Sequence, residues 1–288
     1  MEPADGTFDW SEIDTAIATA QVNGKKISIS VVPGVQTPAW LWTEGARAFN
    51  YVWDQGYSYP YCTVVSLPVP WDPVYEAKWG AFVAAFGARY DSNPTVSHVK
   101  LTGVNAPSQE TSLPGTVNEI INNGQCTGYD DVQNWINLGY TRTLVEGAWQ
   151  QFAADFSTAF PHKQFAEMFN PCGLPPIDEN GAVIPDEECD YQGVTDILNY
   201  GIDDYGLGRF IGQNNALTAT AICGVIVSDA DFIDTGYQEL EPLGSGFAAA
   251  ATLAISDNAM FLEIYESDLT DSSNQSAITT AHNGLLAN

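Results

Sequence analysis

Strand-like and helical segments alternate along the chain, and this alternation constrains the fold more than any other feature of the sequence. Apolar and β-branched runs predict six strands, at 26–32, 96–104, 163–169, 209–213, 233–238 and 259–265. Apolar residues recurring every three or four positions predict helices, at 10–21, 75–90, 135–160, 195–200, 247–255 and near the carboxyl terminus. The apolar segment 217–227 fits either a strand or a helix. Strands that alternate with helices are typical of an α/β protein with a parallel sheet.

Several signatures of other α/β folds are missing from the sequence. No strand runs into GxGxxG, no GKS or GKT is present, and no GxSxG marks a nucleophile elbow. The (β/α)8 (TIM) barrel remains, and its usual size of about 250 residues suits this chain. No low-complexity linker divides the sequence, so we expect a single domain over residues 1–288. Six predicted strands leave the barrel two short, and the gap is at the amino-terminal end.

The charge balance bears on the class of partner. The net charge is −27, from 36 acidic and 9 basic residues. Such a chain repels nucleic-acid phosphates and anionic membrane surfaces, so we expect neither as a partner. An acidic surface that keeps the protein soluble explains this charge, and adaptation to salt or a cationic substrate remain alternatives.

No apolar stretch approaches the roughly 20 residues that a bilayer-spanning helix needs. Residues 1–10 are acidic and polar, so no signal peptide is visible. The protein is then either cytoplasmic or exported, with the export signal absent from this chain.

The cysteine and histidine spacing argues against a metal site. The five cysteines form no CxxC pair, and His98, His162 and His282 form no HxH or HExxH motif. We therefore expect no catalytic metal and no cofactor. Cys172 and Cys189 flank a proline- and acid-rich loop that a disulfide would close in an exported protein, whereas in the cytosol both would be reduced thiols. Cys223 lies in an apolar run and is predicted to be a core residue.

The amino-terminal segment carries a resemblance to a known family. It reads EPxxGxFDW, then Ile13-Asp14 at the start of a helix, and later Thr37-Pro38-Ala39-Trp40-Leu41 after a strand. This pattern resembles the region around the second and third barrel strands of clan A glycoside hydrolases, especially bacterial β-galactosidases. The motif match covers about the first 41 residues, and the remainder agrees only in strand order. The resemblance implies a (β/α)8 barrel that is incomplete at its amino terminus, and a carbohydrate substrate.

The segment after the second predicted strand departs from that family. Clan A enzymes have Asn-Glu there, the Glu being the general acid/base, whereas this chain has Asn105 followed by Ala106. The nearest carboxylate is Glu110. The resemblance implies that Asn105 holds a substrate hydroxyl and that Glu110 donates the proton. The alternative is that Glu110 is a solvated loop acid.

The second carboxylate has two candidates. Glu263 lies inside an apolar strand, where an acid is costly unless it is paired or functional. Glu239 follows the strand that corresponds to the position of the clan A nucleophile. We favour Glu263, whose alternative role is a structural acid paired with Arg209 or a lysine.

Aromatic and amide side chains complete the expected sugar site. Sugar rings pack on aromatic faces, and polar groups at strand ends hold hydroxyls. The candidate substrate-binding residues are Trp40, Trp71, Gln213, Asn214 and Tyr265. Core packing of the tryptophans and loop capping by the amides are the alternatives.

The sequence thus predicts a monomeric or homodimeric glycoside hydrolase that cleaves a poly- or oligosaccharide with two carboxylates. Because no Glu follows Asn105, a non-catalytic carbohydrate-binding barrel is the first alternative. A truncated barrel that completes itself by dimerising is the second.

Overall fold

The structure is a computed structural model that describes residues 1–53, 58–115, 120–121, 126–127, 130–214, 226, 229–239 and 241–286. The chain divides into two compact units. Unit 1 comprises Met1–Phe165 and Cys172–Ile197, and unit 2 comprises Ala166–Pro171 and Leu198–Asn288. The expectation of one domain over residues 1–288 stays a prediction.

Strands and helices are interspersed along the described chain. The strands are β1 (Ile27–Ile29), β2 (Ala48–Val52), β3 (Val64–Pro68), β4 (Val96–Lys100), β5 (Glu110–Thr111), β6 (Ile120–Ile121), β7 (Cys126–Thr127), β8 (Gln164–Phe169), β9 (Phe210–Asn214), β10 (Asp234–Gln238) and β11 (Phe261–Glu263). The helices are α1 (Ser11–Val22), α2 (Trp40–Thr43), α3 (Pro73–Tyr90), α4 (Asp131–Asn137), α5 (Arg142–Ala159), α6 (Tyr191–Asp204), α7 (Phe247–Ser256), α8 (Glu266–Thr270) and α9 (Gln275–Leu285). Short 3₁₀ turns lie at Gly34–Gln36, Gly244–Gly246 and Ser272–Asn274.

In unit 1, β1 and β4 form a parallel pair that α1, α3 and α5 accompany. Ile27 lies opposite Val96 and Ile29 opposite Val99, with a register shift between the two positions. On α1 the buried residues are Ile13, Ile17 and Ala20, and their spacing gives one apolar face. The main sheet continues from β4 to β8, whose first two residues belong to this unit.

Helix α3 begins at a side-chain cap. The Asp72 carboxylate accepts hydrogen bonds from the amides of Val74 and Tyr75, and Pro73 occupies the first helical position. Its aromatic face (Tyr75, Trp79, Phe82, Phe86, Tyr90) is buried. The helix is tied to the end of β4, because Tyr75 Oη and Trp79 Nε1 donate hydrogen bonds to the carbonyls of Gly103 and Thr102.

In unit 2, β8, β9, β10 and β11 follow one another in the sheet. The β9–β10 and β10–β11 pairs are parallel, with Tyr237 opposite both Asn214 and Leu262. Tyr237 packs with Ala250 and Ala254 of α7, and Leu262 packs against the same cluster. The helices therefore cover the sheet face that carries Tyr237 and Leu262.

The predicted fold class is confirmed: the chain is α/β, with a parallel sheet of the (β/α)-barrel type. The six predicted strands correspond to β1, β4, β8, β9, β10 and β11, and six such strands among the described residues make the barrel incomplete. The segment 217–227, including Cys223, lies outside the described residues except for position 226.

One expectation about local structure was wrong, and one pair of strands was not predicted. The single helix predicted at 135–160 is two helices, α4 and α5, because Gly139 adopts φ +84° between them. The aromatic-rich segment before α3 contains an antiparallel hairpin of β2 and β3, in which Ala48 lies opposite Pro68. The sequence reasoning assigned no strand there.

Two disulfides hold loops of unit 1. Cys172 is bonded to Cys189, which closes the loop between them, as the spacing of these residues suggested. The second bond joins Cys62 to Cys126, a pairing that the sequence did not predict. Disulfides persist in oxidising compartments, so both bonds support export, which stays a prediction. Within the described part of the chain, no helix is long and apolar enough to cross a membrane.

Candidate active site

The loop after β4 is organised around the side chain of Asn105, which is buried. Asn105 Oδ1 accepts a hydrogen bond from the amide of Gly103 at 2.5 Å, and Nδ2 donates to the carbonyl of Glu110 at 2.6 Å. The amide of Ser112 donates to the carbonyl of Val104, which turns the loop back on itself. Asn105 therefore fixes the backbone that carries Glu110, and its contact with a substrate hydroxyl stays a prediction.

Ala106 lies where the resembling family carries its acid, and the packing around it leaves little room. Ala106 is buried, and its carbonyl accepts a hydrogen bond from the amide of Val35 at 3.1 Å. A Cβ added to Gly34, which adopts φ +32°, would lie 1.9 Å from the Ala106 oxygen. The loops that follow β1 and β4 thus meet backbone to backbone, and the contact requires glycine at position 34.

Glu110 lies in the short strand β5, which pairs with β8, and its side chain is partly buried. Its backbone amide donates a hydrogen bond to Ser108 Oγ at 3.3 Å. Glu110 is therefore held in an ordered strand, where the sequence suggested only a loop. Its role as proton donor stays a prediction.

The two other candidate acids lie at the carboxyl ends of neighbouring strands in unit 2. Gln238, the last residue of β10, is in register with Glu263, the last residue of β11. Glu239 follows Gln238 directly and is 8% exposed, whereas Glu263 is half-buried. The carboxyl ends of β10 and β11 thus bring both acids to one edge of the sheet.

Alternation along the strands places Glu263 on the face opposite the helices. Side chains of registered neighbours in a parallel sheet share a face, so Gln213, Gly236 and Phe261 lie together on this side. A Cβ at Gly236 would lie 2.2 Å from the Phe261 ring, which confirms that the ring covers this glycine. In a (β/α) barrel the face opposite the helices is the interior, so this is the face to which alternation assigns Glu263.

The predicted substrate-binding residues are found in several different surroundings. Gln213 and Asn214 are both fully buried at the end of β9, on opposite faces of the strand. Trp71 packs against Trp135 at a tilt and against Tyr140 edge to face, with ring centroids 5.7 and 5.5 Å away, which is core packing.

Trp40 and Tyr265 lie nearer the surface. Trp40 is partly buried, and its Nε1 donates a hydrogen bond to the carbonyl of Glu2 at 2.8 Å. Tyr265 is 37% exposed and occupies the N-cap position of α8. The binding roles of all five side chains stay predictions.

The sequence reasoning missed several ionisable side chains inside the strands of each unit. His98 and Lys100 of β4 share a face of unit 1, and Glu167 of β8 is fully buried in unit 2. Burial, and secondarily the Lys100 charge, lowers the pKa of His98 to about 3, so its imidazole is neutral. The signal was present in the sequence as ionisable residues inside apolar strands, VSHVK and QFAEMF. No group of three acids, histidines or cysteines among the described residues is placed to hold a metal ion.

Comparisons with known proteins were made for the whole chain. No family model and no curated protein matches the sequence. Among solved structures, the chain is similar to the β-galactosidase of the psychrophilic Marinomonas ef1, with 10% identity over 92% of this chain and 47% of that one, at a TM-score of 0.49. It is similar to endo-glycoceramidase II of Rhodococcus sp., with 13% identity, 92% and 62% coverage and a TM-score of 0.48.

A third solved structure is the catalytic domain of the major endoglucanase of Xanthomonas campestris pv. campestris. The identity is 12%, over 96% of this chain and 74% of that domain, at a TM-score of 0.38. The chain spans about half of the β-galactosidase and about three fifths of the endo-glycoceramidase.

Proposed function

We propose that this protein hydrolyses O-glycosidic bonds in a poly- or oligosaccharide with a pair of carboxylates. The observation that carries the proposal is that both candidates for the second carboxylate, Glu239 and Glu263, lie at the carboxyl ends of the adjacent parallel strands β10 and β11. Enzymes built on (β/α) barrels place their catalytic groups at this end of the strands. Gln238, in register with Glu263, adds an amide that suits a sugar hydroxyl.

Each carboxylate has a distinct role in the proposed reaction. Glu110 donates a proton to the leaving-group oxygen, and Glu263 attacks the anomeric carbon or activates a water molecule. Glu239 is the alternative to Glu263. A separation of about 5–5.5 Å between the two reacting carboxyls gives retention, and one of about 6.5–9.5 Å gives inversion. The anomer released first, followed by NMR, therefore reports which geometry the enzyme uses.

The test is a hydrolysis screen on polysaccharides and aryl glycosides. The wild type is compared with Glu110→Gln, Glu239→Gln and Glu263→Gln, and with Glu266→Gln as a control, because Glu266 is an exposed acid on α8. We expect Glu110→Gln and one of the other two variants to lose at least about a hundredfold in kcat/KM, and the control to keep the wild-type value. Full activity in all three variants would refute the carboxylate assignment.

Leaving-group chemistry separates the proton donor from the nucleophile. A dinitrophenolate leaves without protonation, so Glu110→Gln is expected to keep its kcat/KM on dinitrophenyl glycosides while losing kcat/KM on unactivated oligosaccharides. A nucleophile variant loses both activities. If Glu110→Gln loses both to the same extent, Glu110 is not the proton donor.

The geometry of the β4 loop also favours a second candidate, a carbohydrate-binding protein without hydrolysis. Ala106 occupies the position of the family acid, and Asn105 uses both polar atoms of its side chain within the loop. Calorimetric binding of an oligosaccharide that a folded wild type never cleaves would support this candidate over the hydrolase.

A further inference from the structure

The carboxylate of Asp268, on α8, joins the loops that follow β10 and β11 in unit 2. Its Oδ2 accepts a hydrogen bond from the amide of Leu243 at 2.8 Å, and its Oδ1 accepts one from the amide of Gly244 at 2.7 Å. Asp268 is buried, and a buried carboxylate is costly unless it is hydrogen-bonded. Hydrogen bonds to a charged acceptor are stronger than those between neutral groups. The two loops are therefore fastened to each other at this side chain.

The segment that receives these bonds is also anchored by packing. Strand β10 ends at Gln238, and the Leu243 side chain packs against two apolar clusters, one around Tyr237 and the other around Phe247. The bonds to Asp268 fix the backbone at the same position. The point at which the loop after β10 reaches α7 is thus set by a side-chain contact and a backbone contact together.

Glu239 is the first residue of this loop. Glu263 lies within the register of β10 and β11, opposite Gln238, so the strand ladder holds its backbone. Glu239 comes after the last registered residue of β10, so its position depends on the direction in which the chain leaves the strand. The anchor at Leu243 constrains that direction. Asp268 therefore bears on Glu239 more directly than on Glu263.

Asp268 is itself held in place by the segment that follows β11. Its amide donates a hydrogen bond to the carbonyl of Tyr265 at 3.0 Å, and Asn274 Nδ2 donates to its carbonyl at 3.2 Å. Asn274 is buried as well. The anchor for the loop of Glu239 thus comes from the chain that begins at Glu263, which links the positions of the two candidate acids.

We propose that Asp268 is a positioning residue, which holds Glu239 beside Glu263 by fastening the loop after β10. This inference rests on the proposed function, in which Glu239 and Glu263 lie at the reacting site. Asp268 acts through the backbone of Leu243 and Gly244 and makes no contact with substrate. A displacement of about 1 Å at a reacting group can cost about a hundredfold in rate, so an anchor of this kind matters to catalysis.

Asp268→Asn removes one of the two acceptors and turns an N–H group towards a backbone amide. On an oligosaccharide that the wild type cleaves, we expect kcat to fall about tenfold or more while KM changes less than about twofold, because the misplaced group acts in the transition state. The matched control is Asp271→Asn. Asp271 is exposed in the same segment, and its Oδ1 accepts bonds only within that segment, from the amide and hydroxyl of Ser273, so this variant should keep both constants.

A double-mutant cycle separates positioning from a loss of folded protein. On a dinitrophenyl glycoside, Asp268→Asn is expected to cost less than about twofold in the Glu239→Gln background, because the group that it positions is already removed. In the Glu110→Gln background the loss should remain about tenfold. A merely structural role lowers the concentration of active enzyme and therefore lowers kcat equally in every background.

Amide hydrogen exchange tests the anchor without any substrate. In Asp268→Asn we expect exchange about tenfold faster at Glu239, Leu243 and Gly244, and unchanged exchange at these amides in Asp271→Asn. Asn274→Ala leaves the carboxylate in place but loosens its support, so it should give a smaller change of about threefold in both exchange and kcat. This variant tests the proposal even if Asp268→Asn does not fold.

The outcomes distinguish this inference from the proposed function. Equal losses in the Glu239→Gln and Glu110→Gln backgrounds, or unchanged exchange at Glu239, would overturn the positioning role. Wild-type kcat/KM in Glu239→Gln would also overturn it, while hydrolysis with Glu263 would stand. A wild type that cleaves no substrate would refute the proposed function, and the exchange measurement would then decide by itself whether Asp268 holds Glu239.

Discussion

At the scale of single residues, Asn105 shows a polar side chain committed to its own loop. Its Oδ1 accepts a hydrogen bond from the amide of Gly103, and its Nδ2 donates one to the backbone carbonyl of Glu110, the candidate acid. Buried polar groups are costly when they lose their partners. Asn105 therefore supports Glu110 through the backbone, whatever the substrate contacts.

Asn105→Ala is expected to lower the free energy of unfolding by about 2 kcal/mol, because a buried amide and a partly buried carbonyl each lose a partner. Urea denaturation measures the change. The control is Asn137→Ala, at an exposed position of α4 where the side chain accepts a hydrogen bond from Gln133, and it should change stability by less than about 0.5 kcal/mol. Equal effects of the two substitutions would contradict the structural role of Asn105.

At the scale of elements, the packing of α3 on α5 in unit 1 depends on small residues. A Cβ added to Gly87 of α3 would lie 2.2 Å from the carbonyl oxygen of Ala159 in α5. The two helices therefore approach closely only because position 87 lacks a side chain. Gly147, on α5 itself, has open space where its Cβ would be.

We expect substitution by alanine to have opposite effects on stability at the two glycines. Gly87→Ala forces α3 and α5 apart and should destabilise the protein by about 1–3 kcal/mol. Gly147→Ala improves helix propensity without a clash and should stabilise it by up to about 1 kcal/mol. Thermal unfolding of both variants beside the wild type tests this pair, and stabilisation by Gly87→Ala would mean that the helices do not pack this closely.

The contact between α5 and the first part of α6 contains a carboxyl group with an altered pKa. Burial, and next the charge of Asp196, raises the pKa of Glu146 from its ordinary 4.5 to about 7, against the opposing effect of Arg142. A raised carboxyl pKa contributes stability below pH 4.5, and this contribution is lost as the pH rises towards 7. The neutral form of Glu146 is thus the one that suits the folded state.

Glu146→Gln should remove this pH dependence, because glutamine resembles the neutral acid at every pH. The variant is expected to match the wild type near pH 4.5 and to become progressively more stable than it as the pH rises to 7. Unfolding midpoints measured in steps across this interval test the sign. A difference that stays constant with pH would show that Glu146 does not titrate between these values.

At the scale of the whole molecule, the net charge of −27 opposes compactness. Like charges repel one another throughout the folded chain, and salt screens this repulsion. The few basic residues are used locally, as in the pair of bonds from Arg142 to the Asp190 carboxylate. Most acidic residues therefore have no basic partner to offset them.

Raising the NaCl concentration from about 0.01 M to about 1 M at pH 7 should raise the unfolding midpoint, because the Debye length falls from about 30 Å to about 3 Å. The same titration near pH 4, close to the pI of 4.1, is the control, since the net charge there is near zero. A midpoint that responds equally at both pH values would assign the effect to something other than charge repulsion.

The sequence by itself determined the elements of the main sheet. The strands around Val99, Phe165, Ile211 and Tyr237 were predictable because apolar strand patterns are local and turn signals bound them. The helix around Trp79 was predictable for the same reason, since its period is contained within a few turns. The position of Glu239 just after a strand followed from these boundaries, whereas Glu263, expected inside the strand 259–265, is the last residue of β11.

The tertiary structure decided what depends on contacts between distant segments. The pairing of Cys62 with Cys126, the contact of Gly34 with Ala106 and the burial of Asn105 each join residues that no local pattern connects. The face on which Glu263 lies also required the packing of Leu262 against α7, because alternation gives two faces without saying which one the helices cover. Local periodicity depends only on residues that are neighbours in the sequence. Burial and pairing arise only when the folded chain brings distant residues together.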